Sequence, residues 1–427
     1  MTNYSVVTLN QCLEKLESGG RPKGGASLDK NGILSIGAEH LGDDGEIKLE
    51  NPKFIPLTYF ENMRQGIVQD EDILIVKDGA TTGKVVYISS NSLPNKTAVN
   101  EHVFLLRTNK KLLLPKFAFY LMYSPTGKQK ILADFRGAAQ GGISRSFVNN
   151  FTFTLPPLSE QRRIVEILDQ ADEIRKLRKQ ADEKAEKIIP ALFYEMFGDI
   201  MKSKYPKKRI GEIAKRITKG ESPHWQGFKY QETGVRFITS ENVRDGFLDL
   251  QKSKFVSEEF DSKLNRSRLS ENDVLINLVG ASIGRAAIVP SEALPANINQ
   301  AVASITVDNA KILPSFLLHQ ILHPFIQRII KGNIVEGARA NISLANVRDL
   351  EVIIPNIKTQ INFDNKVKAI CSIKNQNLIL SNKLQNLFNL LLSKAFDGSL
   401  TASWREAHMK ELLKEMEEQK KYFEQAK

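Results

Sequence analysis

Two rhythms of apolar and polar positions run through this chain of 427 residues. From residue 159 to residue 198 the period is seven. Ile164, Ala171, Arg178, Ala185 and Leu192 fill one column, and Ile167, Ile174, Ala181 and Ile188 fill a second. Residues 358–398 repeat the rhythm with Phe363, Ile370, Asn377, Leu384 and Leu391, and with Ile373, Leu380 and Leu387. A seam so narrow predicts a long helix packed on another helix, and each of the two is the other's obvious partner. The predicted interface therefore holds Ile164, Ile167, Ile174, Ile188, Ile370, Ile373, Asn377, Leu380, Leu384 and Leu387. Arg178 and Asn377 take equivalent seam positions, where a polar residue either fixes register or marks an exposed level. Ser159 is a good N-cap behind Pro156-Pro157, and Pro190 predicts a kink or an end in the first helix.

The second rhythm is shorter. Ile73–Val76 and Val85–Ile88 are β-branched apolar runs separated by a glycine-containing turn, which predicts two strands. Phe117–Tyr123 follows Pro115 and Phe316–Leu322 follows Pro314, so both runs predict helices entered through proline. Residues 1–158 and 199–357 thus predict α+β domains in which strands dominate. A tail over 399–427 places Leu412, Leu413, Met416 and Phe423 on one face of a charged helix, which would either dock on a partner or fray.

These elements occur twice, offset by about 200 residues. Gly19 and Pro22 meet Gly220 and Pro223. Asp72–Lys84 meets Asp273–Arg285, Ile143-Ser144 meets Ile342-Ser343, and Leu155-Pro156 meets Ile354-Pro355. A repeat this long is a duplicated domain, not a solenoid unit of roughly 20–50 residues. The expected organisation is a first domain over 1–158, a central helix over 159–198, a second domain over 199–357, a distal helix over 358–398 and the tail.

Charge narrows the choice of partner. Residues 1–158 carry 18 Lys and Arg against 15 Asp and Glu, and residues 199–357 carry 22 against 17. The central helical segment is near neutral, so the domains are the parts suited to a polyanion. Two cysteines, Cys12 and Cys371, are too few for a disulfide framework and fit a reducing cytoplasm. The first residues lack the basic-then-apolar order of an export signal, and no apolar run reaches the roughly 18 residues a membrane span needs.

Three motifs fail as chemistry. Gly79-Ala-Thr-Thr-Gly83-Lys84 has one residue too few between its glycines for a phosphate loop, and Val85 stands where a magnesium-binding hydroxyl is required. It reads as a tight turn that brings Lys84, or Arg285 in the second copy, toward a phosphate. His319 and His323 have zinc-protease spacing, but Gln320 replaces the general base, so two surface histidines are expected. Asn51-Pro-Lys-Phe54 lacks the second proline of an adenine methyltransferase motif, and no glycine-rich cofactor loop accompanies it. Duplicated domains without duplicated chemistry point to binding.

The runs Leu155-Pro-Pro-Leu-Ser-Glu-Gln-Arg-Arg-Ile164, Asp78-Gly-Ala-Thr-Thr-Gly83, Val279-Gly-Ala-Ser-Ile-Gly284 and Leu391–Glu406 together resemble the DNA-specificity subunit of type I restriction–modification enzymes, over essentially the whole chain. The second copy of the first run is degenerate, as Pro355-Asn-Ile-Lys-Thr-Gln360. The resemblance implies two target-recognition domains, each reading half of a bipartite site in double-stranded DNA. It implies two long helices forming an antiparallel coiled coil between them, on which two methyltransferase subunits dock. It places S-adenosylmethionine, ATP and Mg on partner subunits, including the motor and nuclease subunits, with no cofactor or metal on this chain.

Candidates for DNA contact are polar loop residues aligned between the copies: Arg21, Lys84, Arg136, Gln140 and Arg145 in the first domain, and Lys219, His224, Arg285, Arg339 and Asn341 in the second. Arginine can pair with guanine through two bonds, and Gln or Asn with adenine. Phosphate contact and plain exposure stay open for each. Trp225 either stacks on a base or plugs a core. The competing readings are a fused restriction–modification fragment with its own methyltransferase activity, and a helical assembly scaffold that binds no DNA.

Overall fold

A computed structural model describes residues 4–137, 141–332 and 341–425. The chain forms two compact units. The first joins Met1–Gln180 to Ile379–Lys427, and the second is Ala181–Leu378.

In the first unit the strands are β1 (Val6–Thr8), β2 (Leu13–Ser18), β3 (Ile33–Ile36), β4 (Lys53–Ile55), β5 (Ile73–Val76), β6 (Val85–Tyr87), β7 (Thr97–Val99), β8 (Val103–Thr108) and β9 (Thr152–Thr154). They form an antiparallel sheet in the order β2-β8-β5-β6, a three-stranded sheet β4-β3-β7 with β3 and β7 parallel, and the pair β1-β9. The second unit repeats the scheme with β10 (Lys207–Arg209), β11 (Ala214–Lys219), β12 (Val235–Ile238), β13 (Lys254–Val256), β14 (Val274–Asn277), β15 (Ala286–Ile288), β16 (Ala296–Ile298), β17 (Val302–Val307) and β18 (Glu351–Ile353). Its sheets are β11-β17-β14-β15, β13-β12-β16 and β10-β18. The topology is the same, strand for strand.

The central strands are apolar throughout because both faces are covered. Ile73, Ile75, Phe104 and Leu106 join one core with the helix Pro115–Tyr123, while Leu74, Val76, Val103 and Leu105 join a smaller core beneath β3 and β7. Val274, Ile276, Ala303 and Ile305 face the helix Pro314–Ile321 in the same way. Each sheet is thus clamped from both sides, and its loops are carried on a rigid frame.

The helices Leu158–Ala185 and Ile357–Asp397 are the long elements, and Ile188–Phe197 continues the first after a break. Pro190 sits in the first turn of the continuation, where its missing N–H costs nothing. In the first unit, Ile164 and Leu168 pack with Phe388, Leu392 and Ala395, and the Arg175 guanidinium lies 4.5 Å from the Phe388 ring centre. In the second unit, Phe193 and Phe197 surround Phe363, and Lys374 Nζ meets Glu186 Oε2 at 2.7 Å. Within each unit the helices run antiparallel.

The seam departs from its predicted composition. The column Ile164, Ala171, Ala185 and Leu192 is buried or half-buried, as are Phe363, Ile370, Asn377, Leu384 and Leu391. The companion column lies four residues on, not three. It holds Leu168, Arg175, Asp182, Ile189 and Met196 on one helix, and Val367, Lys374, Ser381, Phe388 and Ala395 on the other. Ile167 is half-buried at the edge, whereas Ile174, Ile188, Ile373, Leu380 and Leu387 stand exposed. The residues that meet include charged ones held by local partners: Arg175 donates to Asp172 at 2.5 Å, to the Tyr123 hydroxyl and to Gln385.

Helix entry is set by glutamine. Gln161 Nε2 donates to the carbonyls of Leu112 and Pro156, and its Oε1 accepts from Leu114 N at 2.9 Å. Gln360 makes the equivalent three bonds to Lys311, Pro355 and Leu313. Ser159 is not the N-cap: the helix already begins at Leu158, and Ser159 N donates to Glu415 Oε2. The degenerate second entry supplies its own cap, Asn356, which accepts from Thr359 N at 2.9 Å.

The tail folds onto its own first unit. Leu412 is fully buried, Phe423 packs against the core, and Asn109 donates to the Tyr422 hydroxyl. Glu160 anchors the approach, accepting from Thr401 Oγ1 at 2.6 Å and from Arg405 Nε and Nη2 at 2.9 and 2.6 Å, and from the Tyr4 hydroxyl. No helix among the described residues is long and apolar enough to cross a membrane.

Candidate nucleic-acid interface

The antiparallel order of each main sheet brings three chain segments to one end. In the first unit these are the exit of β2, the β5–β6 turn and the entry to β8. The turn has the same glycine conformations and shares its closing backbone bonds in both units. Gly79 and Gly83 have φ of 91° and 85°, and Gly280 and Gly284 have 78° and 86°, a left-handed conformation that side chains resist. Gly83 N donates to Val76 O at 2.8 Å, and Gly284 N donates to Asn277 O at 3.0 Å. A second segment is laced to each turn: Gly79 N donates to Gly141 O, Ile143 N to Lys77 O, and Ile342 N to Leu278 O.

This geometry gathers most of the first-domain candidates. Arg136 bridges Gly142, which in turn bridges Asp78, and Arg145 follows two residues after the laced Ile143. The Arg136 side chain is 79% exposed, with Asp134 at 3.6 Å. Arg21, on the exit of β2, pairs through Nε with Glu101 Oε1 at 2.7 Å. Lys84 is placed differently. Its side chain is only 20% exposed and its Nζ meets Asp43 Oδ2 at 3.1 Å, so its charge is already matched within the domain. Gln140 and Arg339 lie outside the described residues.

In the second unit Asn341 bridges Val279 at the turn, Arg285 closes the turn half-buried, and Lys219 is exposed at the end of β11. His224 lies in the turn Pro223–Gln226 that follows β11, edge-on to Tyr230 at 5.4 Å. Trp225 is 73% exposed, which excludes the core-plug reading.

Sequence inspection missed Asp78, Glu101 and His102. His102 Nδ1 lies 2.5 Å from Asp78 Oδ1 and its Nε2 lies 3.4 Å from Glu101, so the three link Arg21 to the glycine turn. The second unit has Val279, Gln300 and Ala301 at these places, and nothing in the residue types alone brings 78 beside 102. Glu101 Oε2 and Gln300 Oε1, equivalent in topology, are each shielded from solvent and accept no hydrogen bond among the described residues. The framework is therefore shared, while the side chains it presents differ between units.

The histidine pair of zinc-protease spacing is half-buried against aromatic rings, not openly on the surface. His319 packs edge-on to Phe363 at 5.6 Å, and burial lowers its pKa to about 4. His323 lies 5.1 Å from Phe193. No group of three or more His, Cys, Asp or Glu side chains among the described residues is placed to hold a metal ion.

The family model described as the type I restriction modification DNA specificity domain matches residues 1–187 and again 202–369. The EcoBI specificity subunit of Escherichia coli is 26% identical over 79% of this chain and 75% of that protein. The MjaVIII specificity subunit of Methanocaldococcus jannaschii is 23% identical over 80% of this chain and 82% of that one. Among solved structures, a chain from work on complex assembly and conformational transition of the type I R-M system shares the fold, with a TM-score of 0.60 at 17% identity. That match covers 93% of this chain and 98% of the other. With the family model matched twice, over repeats whose folds agree strand for strand, the chain belongs to the type I restriction–modification DNA-specificity family, as a non-catalytic specificity subunit.

Proposed function

We propose that each domain reads one half of a bipartite site in double-stranded DNA through the loop end of its main sheet, and that the helix pair sets the gap between the half-sites. The domains are taken as residues 1–158 and 199–357, the helices as 159–198 and 358–398, and the tail as 399–427. The observation that carries this reading is a constant frame with variable tips. Both units pin the same glycine turn with the same backbone bonds, yet one presents Asp78, Glu101 and His102 where the other presents Val279, Gln300 and Ala301. A reader of two unlike half-sites needs such a division, since phosphate contacts position a protein and base contacts specify the sequence.

The helices also support a docking role. Ile174, Leu177, Leu380, Leu387 and Leu390 are exposed in the first unit, and Ile188, Ile361, Ile373 and Leu378 in the second. Apolar side chains in such numbers on helix surfaces suit a protein partner, which we take to be two methyltransferase subunits. Those subunits bring S-adenosylmethionine, the motor and nuclease subunits bring ATP and Mg, and this chain supplies the address. Footprinting of the chain reconstituted with its methyltransferase subunits tests the reading. Two protected, sequence-specific blocks separated by an indifferent gap are expected; a single continuous block would overturn it.

A further inference from the structure

We infer that Trp225 is the aromatic side chain with which the second domain engages the bases of its half-site, an inference that rests on the DNA-reading function proposed above. The loop that carries it leaves β11 at Gly220, where an added Cβ would fall 1.6 Å from Ile298 O; the matching loop leaves β2 at Gly19, where a Cβ would fall 1.5 Å from Val99 O. The two loops therefore start from one immovable point in the frame. Beyond it they diverge, as Arg21-Pro-Lys-Gly-Gly25 in the first domain and Ser222-Pro-His-Trp-Gln226 in the second.

The second loop is built as a pedestal. Pro223–Gln226 forms a single 3-10 turn, closed by Gly227 at φ 80° and by Phe228 N donating to Pro223 O at 2.9 Å. Gln226 Nε2 donates to Glu221 Oε2 at 2.5 Å, and Glu221 is paired with Arg266. Phe228 packs on Phe260, and Tyr230 packs on Phe237. With its neighbours held, the Trp225 indole stands 73% exposed and has no ring or hydrogen-bond partner among the described residues. The chain's other tryptophan, Trp404, is stacked on His408 at 4.3 Å.

A tryptophan is seldom left open on a rigid turn unless something covers it, because its large apolar area favours burial. The surroundings choose the cover. Ser222, Gln226 and Gly227 are polar or lack a side chain, so the turn does not offer the broad apolar patch a protein interface needs. Lys219 and Lys229 are exposed, and among the described residues their side chains form no ion pair, which suits phosphates. A flat aromatic with exposed lysines before and after it in the chain has the chemistry of base stacking, or of a wedge opening a base step. The first domain has Gly24 at the matching position, with φ 95° and open space around it, so the two half-sites would be engaged differently.

The test uses the full chain with its methyltransferase subunits and a duplex chosen by mapping the bases the complex methylates. Trp225→Ala should weaken binding to that duplex roughly 5- to 150-fold, and Trp225→Phe should retain most of it. As a second readout, 5-hydroxytryptophan is placed in this chain alone, in a Trp404→Phe background. Its emission should be quenched by the duplex and become shielded from acrylamide. A Trp225→Ala complex that binds as tightly as the parent, with the probe still accessible in the parent complex, would overturn the inference and leave the DNA-reading function standing. A parent complex with no preference for that duplex over a scrambled one would overturn the reading on which it rests.

Discussion

Replacing Arg405 with Met should unlatch the tail from the first unit. The Glu160 side chain is 1% exposed and that of Arg405 14% exposed, so both charges lie out of water and the pair holds through two short bonds of 2.9 and 2.6 Å. Removing the guanidinium leaves a buried carboxylate whose remaining donors are the Tyr4 and Thr401 hydroxyls. Breaking a buried pair on one side costs about 3–5 kcal/mol. Two surviving hydroxyl donors place the loss near the lower end, about 3 kcal/mol. In a unit of this size that lowers the melting temperature by roughly 6–12 °C. Scanning calorimetry is the suitable assay, because a two-unit chain need not melt in one transition. Only the transition of the first unit should move, and the double variant Glu160→Met with Arg405→Met should recover much of the loss, since two apolar side chains leave no orphaned charge. A single variant within about 0.5 kcal/mol of the parent would refute the argument, and so would a double variant no better than the single.

Other consequences concern the second unit and the helices. Burial holds the His319 pKa at about 4, below its ordinary 6.5. The unfolded chain therefore binds a proton near pH 6.5 that the folded chain refuses until about pH 4. The contribution is complete above pH 6.5 and is lost as pH falls toward 4, by about 3 kcal/mol in all. His319→Leu should flatten that part of a denaturation-against-pH curve, and an unaltered slope would contradict the burial argument. Gly220→Ala should cost several kcal/mol in urea titrations, because its Cβ would overlap Ile298 O at 1.6 Å; parental stability would mean that the loop is not pinned there. Four residues inserted into the first long helix ahead of Pro190 add about 6 Å. Against 3.4 Å per base pair, the gap in the methylated site should widen by one or two pairs; an active enzyme with the gap unchanged would show that the helices do not set it.

Strand pairs, proline-entered helices and the duplication were legible because each depends on local pattern: β-branched runs, fixed φ at proline and a repeated glycine turn. The seam was harder. Ile174, Ile188, Ile373, Leu380 and Leu387 make the more apolar column, yet the structure buries the column containing Arg175, Lys374 and Ser381. Apolarity ranks a face by its need for cover and is silent on whether a helix or another protein supplies it. The cluster of Asp78, Glu101 and His102 was hidden for a different reason, since strand pairing across the sheet, and not spacing along the chain, makes those residues neighbours. The tail could not be assigned from its amphipathic face alone; Glu160, inside a helix-entry motif, turned out to be its anchor.

The central claim is that the two domains read independently. It is tested most directly by exchanging residues 1–158 for the corresponding segment of a relative with a different target and mapping methylated bases across a host genome. One half of the bipartite sequence should change to the donor's while the other half and the gap stay as they were. A chimaera that methylates DNA with both halves altered, or with neither, would contradict the account.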